Sequence, residues 1–126
     1  MNKNIKIIIM VDVGDLREGV LPKNIIKFID KIKDLPGMRI RGLGTNVGCY
    51  GGVLPTVENT SILLQLKEKI RKKFDLNLDI ISGGSTVTTI LFQNDQMPLG
   101  INNLRVGEAI LQGTDITNQR RIDYLK

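Results

Sequence analysis

The stretch DIISGGST, residues 79–86, joins an apolar, β-branched run to a serine, two glycines and two further hydroxyl residues. A strand ending this way fits a backbone cradle for an anion at the head of a helix. It fits equally a tight strand-to-helix turn, because Ser and Thr cap helices and Gly turns sharply. Taken alone the stretch leaves both readings open, and its neighbours decide between them.

Working outward, the same strand-to-helix rhythm occurs four times. KIIIMVDV (residues 6–13) is a near-continuous apolar run, the mark of a strand buried on both faces. After GDLREGV, Pro22 opens a helical pattern with Ile25, Ile26, Ile29, Ile32 and Leu35 on one face, which Pro36 and Gly37 terminate. MRIRGLG (residues 38–44) is a second strand, followed by the loop TNVGCYGGVLPT. A long amphipathic helix comes next, with Ile62, Leu63, Leu66, Ile70 and Phe74 as its apolar stripe. LNLDIIS (residues 76–82) is the third strand, and a short helix over 86–94 follows SGGST. INNLRV (residues 101–106) is the fourth, and GEAILQG begins another helical turn. Residues 114–126 have no clear partner and are expected to be a frayed tail or an incomplete element.

Strands alternating with helices imply a single α/β domain over residues 1–126, with parallel βα units and right-handed crossovers. Four such units suit half of a (β/α)8 barrel, a whole one taking about 250 residues, or a small doubly wound sheet. In either case the loops after the strands gather at one edge, where such folds place their chemistry.

Composition narrows that chemistry. The chain of 126 residues is 41% hydrophobic and 25% charged, as in an ordinary globular domain, and has no apolar run long enough to span a bilayer. The short apolar start is followed by Asp12 and Asp15 with no cleavage site, which reads as a core strand of a cytoplasmic protein with no membrane partner. One cysteine excludes an internal disulfide framework, and the absence of histidine excludes imidazole acid/base catalysis and the usual zinc sites. No metal is expected. The net charge of +5 comes from basic residues mixed with Asp30 and Glu68 on solvated helix faces, without interleaved aromatics, so no nucleic-acid partner is expected.

The loops carry the candidates. Ser82, Gly83, Gly84, Ser85 and Thr86 offer hydroxyls and convergent backbone N–H groups. One strand later NLRVGEAIL places Arg105 at a strand end and Gly107 and Glu108 at the next helix start. Barrels often hold phosphate with the loops after their last two strands, the positions these two loops take if the chain is a second half. Arg105 then projects at the mouth, or else forms a structural ion pair with Glu108 or Asp79. Asp15, Arg17 and Glu18 in GDLREG could reach a substrate amine or carboxylate, or pair among themselves. Cys49 and Tyr50 lie in a glycine-rich loop on the same face, with Tyr50 a conceivable proton donor.

MVDVGDLREGV, RGLGTNVGCYGG, SGGST and NLRVGEAILQG, in this order and spacing, resemble the pyridoxal-phosphate-dependent alanine racemase family, nearest the branch with ornithine racemase. The resemblance runs from about residue 6 to 113. It implies the C-terminal half of a cofactor-binding barrel, with pyridoxal 5'-phosphate as cofactor and an amino acid as the small-molecule substrate of the full-length family. It further implies that Ser82, Gly83, Gly84 and Ser85 bind phosphate with the amides of Gly107 and Glu108. Arg105 would face the pyridine nitrogen, and Asn46 would occupy the position, often histidine in the family, that packs on the cofactor ring. A guanidinium stays charged, so the electron sink it leaves is weakened and suited to moving one proton at an α-carbon.

The family holds its cofactor through a lysine at the end of the first barrel strand. The eleven lysines here lie at the termini, early in the first strand or in the expected helices. The chain therefore reads as a fragment of an amino-acid racemase, inactive by itself. The alternatives are a non-catalytic phosphate-binding α/β module and a structural fragment without ligand. A half-barrel has two open sheet edges, so self-association is expected.

Overall fold

The computed structural model describes residues 4–48, 52–115 and 120–121. Its centre is one parallel sheet in the order β1 (Ile5–Met10), β2 (Met38–Gly44), β3 (Ile80–Ser85) and β4 (Asn103–Arg105). Each strand lies beside its successor with no reversal of order. That is the wall of a (β/α)8 barrel rather than a doubly wound sheet, whose strand order changes direction at a switch point.

A 3-10 turn at Pro22–Asn24 leads into α1 (Ile25–Ile32), and α2 (Val57–Phe74) joins β2 to β3. Thr56 and Asn59 form a reciprocal capping box at the start of α2, a device worth about 1 kcal/mol. A second 3-10 turn, Thr86–Thr88, leads into α3 (Thr89–Gln93), and α4 (Glu108–Gln112) follows β4.

The core lies between the sheet and the two longer helices. Ile25 and Ile29 of α1 and Leu63, Leu66 and Ile70 of α2 pack with Ile9, Val11, Ile40, Leu43, Leu78 and Ile81. These helix positions recur at the spacing expected of one buried stripe. The opposite face of the sheet is concave in a barrel, and here it carries Ile8 and Met10 beside Gly44, with Ile8 37% exposed. The apolar run of β1 reads as buried on both faces, yet only one face is covered.

Two irregularities shape the sheet. β1 and β2 change register between Ile7 and Ile8, where Arg41 is the extra residue, and its guanidinium pairs with Asp79 at 2.5 Å. β3 and β4 change register between Ser82 and Ser85, so the two glycines carry a bulge.

Several boundaries differ from the sequence pattern. α1 ends at Ile32, and Leu35, expected on its apolar face, is 49% exposed beyond it. The chain is already turning there towards Gly37, whose φ of +75° suits glycine alone. β3 begins later than expected and runs through SGGS, so these residues are strand rather than a loop after it. β4 begins at Asn103 because the Asn102 side chain takes over the preceding rung, accepting from Ile81 N at 2.8 Å and donating to the Asp79 carbonyl at 2.7 Å. At the C-terminal end of the described residues, β5 (Thr114–Asp115) pairs antiparallel with β6 (Arg120–Arg121), after Gly113 ends α4 in the left-handed region.

Candidate functional site

At the C-terminal rim of the sheet, polar groups from four successive strands meet. Thr45, just past β2, is fully buried, and its hydroxyl donates to the Val11 carbonyl just past β1 at 2.8 Å. The Thr45 carbonyl accepts from Arg105 Nη2 at 2.9 Å, and the hydroxyl of fully buried Ser82 accepts from Arg105 Nη1 at 2.7 Å. The guanidinium thus reaches from β4 across β3 to β2. It lies over Gly44 on the concave face, where a Cβ would come within 3.4 Å of Nη1. Neither ion pair considered for it forms: Asp79 is taken by Arg41, and Arg105 has no salt bridge among the described residues.

The two candidate anion loops are joined directly. Thr86 Oγ1 accepts from the Ala109 amide at 3.3 Å, tying the end of β3 to the first turn of α4. Ser85 and Arg105 are strand partners. Gly107 caps α4, with its carbonyl taken by the amides of Ile110 and Leu111, and Glu108 accepts from the Thr114 hydroxyl at 3.3 Å. Ser82, Gly83, Gly84, Ser85, Arg105, Gly107 and Glu108 therefore converge at the ends of β3 and β4. Both helices that follow are five residues long, so local N–H and hydroxyl groups, more than a helix dipole, set the potential there.

Gly84, with φ of +139°, lies against the Thr88 hydroxyl, and any Cβ would collide with it. Thr88 is fully buried and that hydroxyl has no hydrogen-bond partner.

Asn46 extends the rim past β2. Its Nδ2 donates to Glu18 Oε1 at 3.3 Å, and its Oδ1 is buried without a partner. The GDLREG loop is drawn back over β1 by Asp12, whose Oδ1 accepts from the amides of Gly14 and Leu16, and by Val20, whose amide donates to the Met10 carbonyl. Asp15 Oδ2 is likewise buried and unpartnered. Cys49 and Tyr50 lie outside the described residues. Among the described residues no group of acidic, cysteine or histidine side chains could hold a metal ion, and no helix is long and apolar enough to cross a membrane.

Sequence reasoning missed Thr45, Asp12 and Asn102. Each is a short polar residue flanking an apolar strand, and only its pairing partner shows what it does.

The family model for the alanine racemase N-terminal domain matches residues 1–115. The chain belongs to this family. It is 51% identical over 125 residues to lysine racemase from Thermotoga maritima and 42% identical over 116 residues to ornithine racemase from Acetoanaerobium sticklandii. These alignments take in 99% and 91% of this chain but 34% and 33% of the relatives, so the chain spans about a third of their length.

Among solved structures, an unknown protein from Bifidobacterium adolescentis superposes with a TM-score of 0.66 at 20% identity, covering 86% of this chain and 44% of that one. Lysine/ornithine decarboxylase from Vibrio vulnificus, complexed with putrescine, gives 0.59 at 14% identity, covering 82% and 33%. Both show the fold alone.

The donor set suits the cofactor that the family implies. A guanidinium held on the concave face over a strand without a side chain, beside hydroxyl and amide groups, offers donors to a phosphate ester and to a ring nitrogen. The described lysines do not supply a covalent anchor, lying in the first half of β1, around α1 and along α2.

Proposed function

We propose that this chain is the part of a pyridoxal-phosphate-dependent amino-acid racemase that cradles the cofactor phosphate and faces its pyridine nitrogen. The observation that carries the reading is Arg105, held at the rim without a carboxylate among the described residues and one strand from the Ser82–Ser85 bulge. When bound, the cofactor supplies an electron sink for the α-carbon of an amino acid. Arg105 directs N–H donors towards the ring nitrogen while keeping its own protons. Gly83, Gly84 and Ser85, with Gly107 and Glu108, present hydroxyl and amide donors to the phosphate. Asn46, at the rim past β2, would be the side chain that packs on the ring.

The names of the two racemase relatives favour a diamino acid as substrate, and Asp15 and Glu18 on the same rim suit its second ammonium. A cytoplasmic setting accords with the single cysteine. The placement of the lysines favours a second reading for the chain by itself, a phosphate-binding module that does not racemise.

Titration of the isotope-labelled chain with inorganic phosphate and with pyridoxal phosphate tests the cradle. Both ligands should shift the amide signals of residues 83–86 and 107–109 together. Shifts scattered elsewhere, or none, overturn it.

The reading extends to assembly. β1 and β4 end the sheet, and an open groove of about 460 Å³ along β1 is lined by Ile8, Met10, Phe28, Ile32 and Leu35. A second groove of about 340 Å³ beside β4 is lined by Phe92, Met97, Ile101 and Leu104. Two apolar edges of the same polarity suit parallel pairing of β4 in one copy with β1 in another, a contact that closes after two copies. Sedimentation velocity should show a concentration-dependent dimer. A monomer at every concentration excludes this pairing.

A further inference from the structure

We propose that Ser82 and Thr45 are positioning residues for Arg105, and that Ser82 serves the arginine rather than the phosphate. The inference rests on the reading of Arg105 as the group that faces the cofactor ring, and adds what aims it. A free arginine side chain samples many rotamers, and its planar fork is directional only when its plane is fixed. Here two donors on different nitrogens reach two acceptors on different strands, Ser82 Oγ at 2.7 Å and the Thr45 carbonyl at 2.9 Å. Two such bonds in one plane set both the position and the tilt of the guanidinium, leaving its other N–H donors for a ligand.

The acceptors are themselves immobile. Ser82 and Thr45 have no exposure to solvent, and Thr45 is pinned by its hydroxyl to the Val11 carbonyl at 2.8 Å. The chain of contacts therefore runs from β1 to β4. Arg105 is an exposed residue, and among the described residues these two contacts are the hydrogen bonds that order its tip. A serine hydroxyl that accepts from Arg105 and is sealed from solvent is poorly placed to donate to a phosphate.

Three variants, Ser82→Ala, Ser82→Thr and Thr45→Val, and two measurements test this. Without ligand, the guanidinium NMR signals of Arg105, assigned by their loss in Arg105→Lys, should be resolved by slow rotation in the parent chain. They should be averaged in Ser82→Ala, only partly broadened in Thr45→Val, which keeps the carbonyl acceptor and frees it from Val11, and resolved again in Ser82→Thr, which keeps the hydroxyl. With ligand, Ser82→Ala should weaken pyridoxal phosphate by about tenfold, the size of one lost charge-assisted hydrogen bond, and leave inorganic phosphate within about twofold. Equal loss of both ligands makes Ser82 a phosphate contact and overturns the proposal, as do Arg105 signals that none of the variants moves. Should Ser82→Ala fail to fold, Ser82→Cys, close to serine in size and a weaker acceptor, decides by the same signals. Should the chain bind no pyridoxal phosphate, the cofactor reading fails, while the signals without ligand still decide what holds Arg105.

Discussion

Gly42→Ala will cost the fold about 3 kcal/mol or more and lower the thermal midpoint by roughly 10 °C or beyond, measured by calorimetry or circular dichroism. Gly42 sits in β2, a central strand, directly opposite Ile80 of β3. A Cβ built there would run into the Ile80 carbonyl oxygen and carbon. Those atoms are backbone, so no rotamer change relieves the collision and the two strands must separate. Separation at that rung strains the pairs that follow, Leu43 with Ile81 and Gly44 with Ser82. Leu43 and Ile81 are both fully buried, so the core opens with the sheet. Ordinary domains are stable by only about 5–15 kcal/mol, and a loss of this size leaves little margin. Shortening the neighbour in Gly42→Ala/Ile80→Ala should not restore the midpoint. A Gly42→Ala protein melting within a few degrees of the parent would show that the strands can part here at little cost.

Arg105→Leu will have the largest effect on ligand binding. The leucine removes the guanidinium and leaves the Thr45 carbonyl and the Ser82 hydroxyl, both on fully buried residues, without their donor. Unpaired buried polar groups cost about 1–3 kcal/mol, so stability should fall within that range. Affinity for pyridoxal phosphate should fall by more than about tenfold, because the charge and the donors leave together. Arg105→Lys keeps the charge but not the planar fork. It should recover part of the affinity for inorganic phosphate and little of that for pyridoxal phosphate. Binding by Arg105→Leu within twofold of the parent, followed by equilibrium dialysis, would remove Arg105 from the site.

How far the sequence could be read differs between the fold and the site. The parallel βα order was legible because it rests on long patterns, such as Ile25, Ile29, Leu63, Leu66 and Ile70, which the core uses as the periodicity suggests. The choice between half-barrel and doubly wound sheet was not legible in the periodicity and came from the family resemblance of the loop motifs. It depends on which strand neighbours which, and no local run of residues encodes that.

The end of β3 misled for a related reason. Two glycines and two serines read as a loop, yet Gly83 and Gly84 stay in the strand, with Gly83 against Ile101 and Gly84 against Thr88. Close packing and sharp turning demand the same residue. Arg105 could be picked out from its position at a strand end, but not its partners. Thr45 lies sixty residues before it in the chain, joined only through the sheet.

The bulge in β3 has a consequence in the arithmetic of side-chain direction. In a regular strand, residues three apart point to opposite faces. Ser82 touches the Arg105 guanidinium on the concave face, and Ser85 is the strand partner of Arg105 and so shares its side. The single extra residue in the Gly83–Gly84 pair works as a phase shift, reversing the parity of everything after it. One hydroxyl can then look back towards the arginine while the next, an odd number of residues on, still arrives at the same mouth.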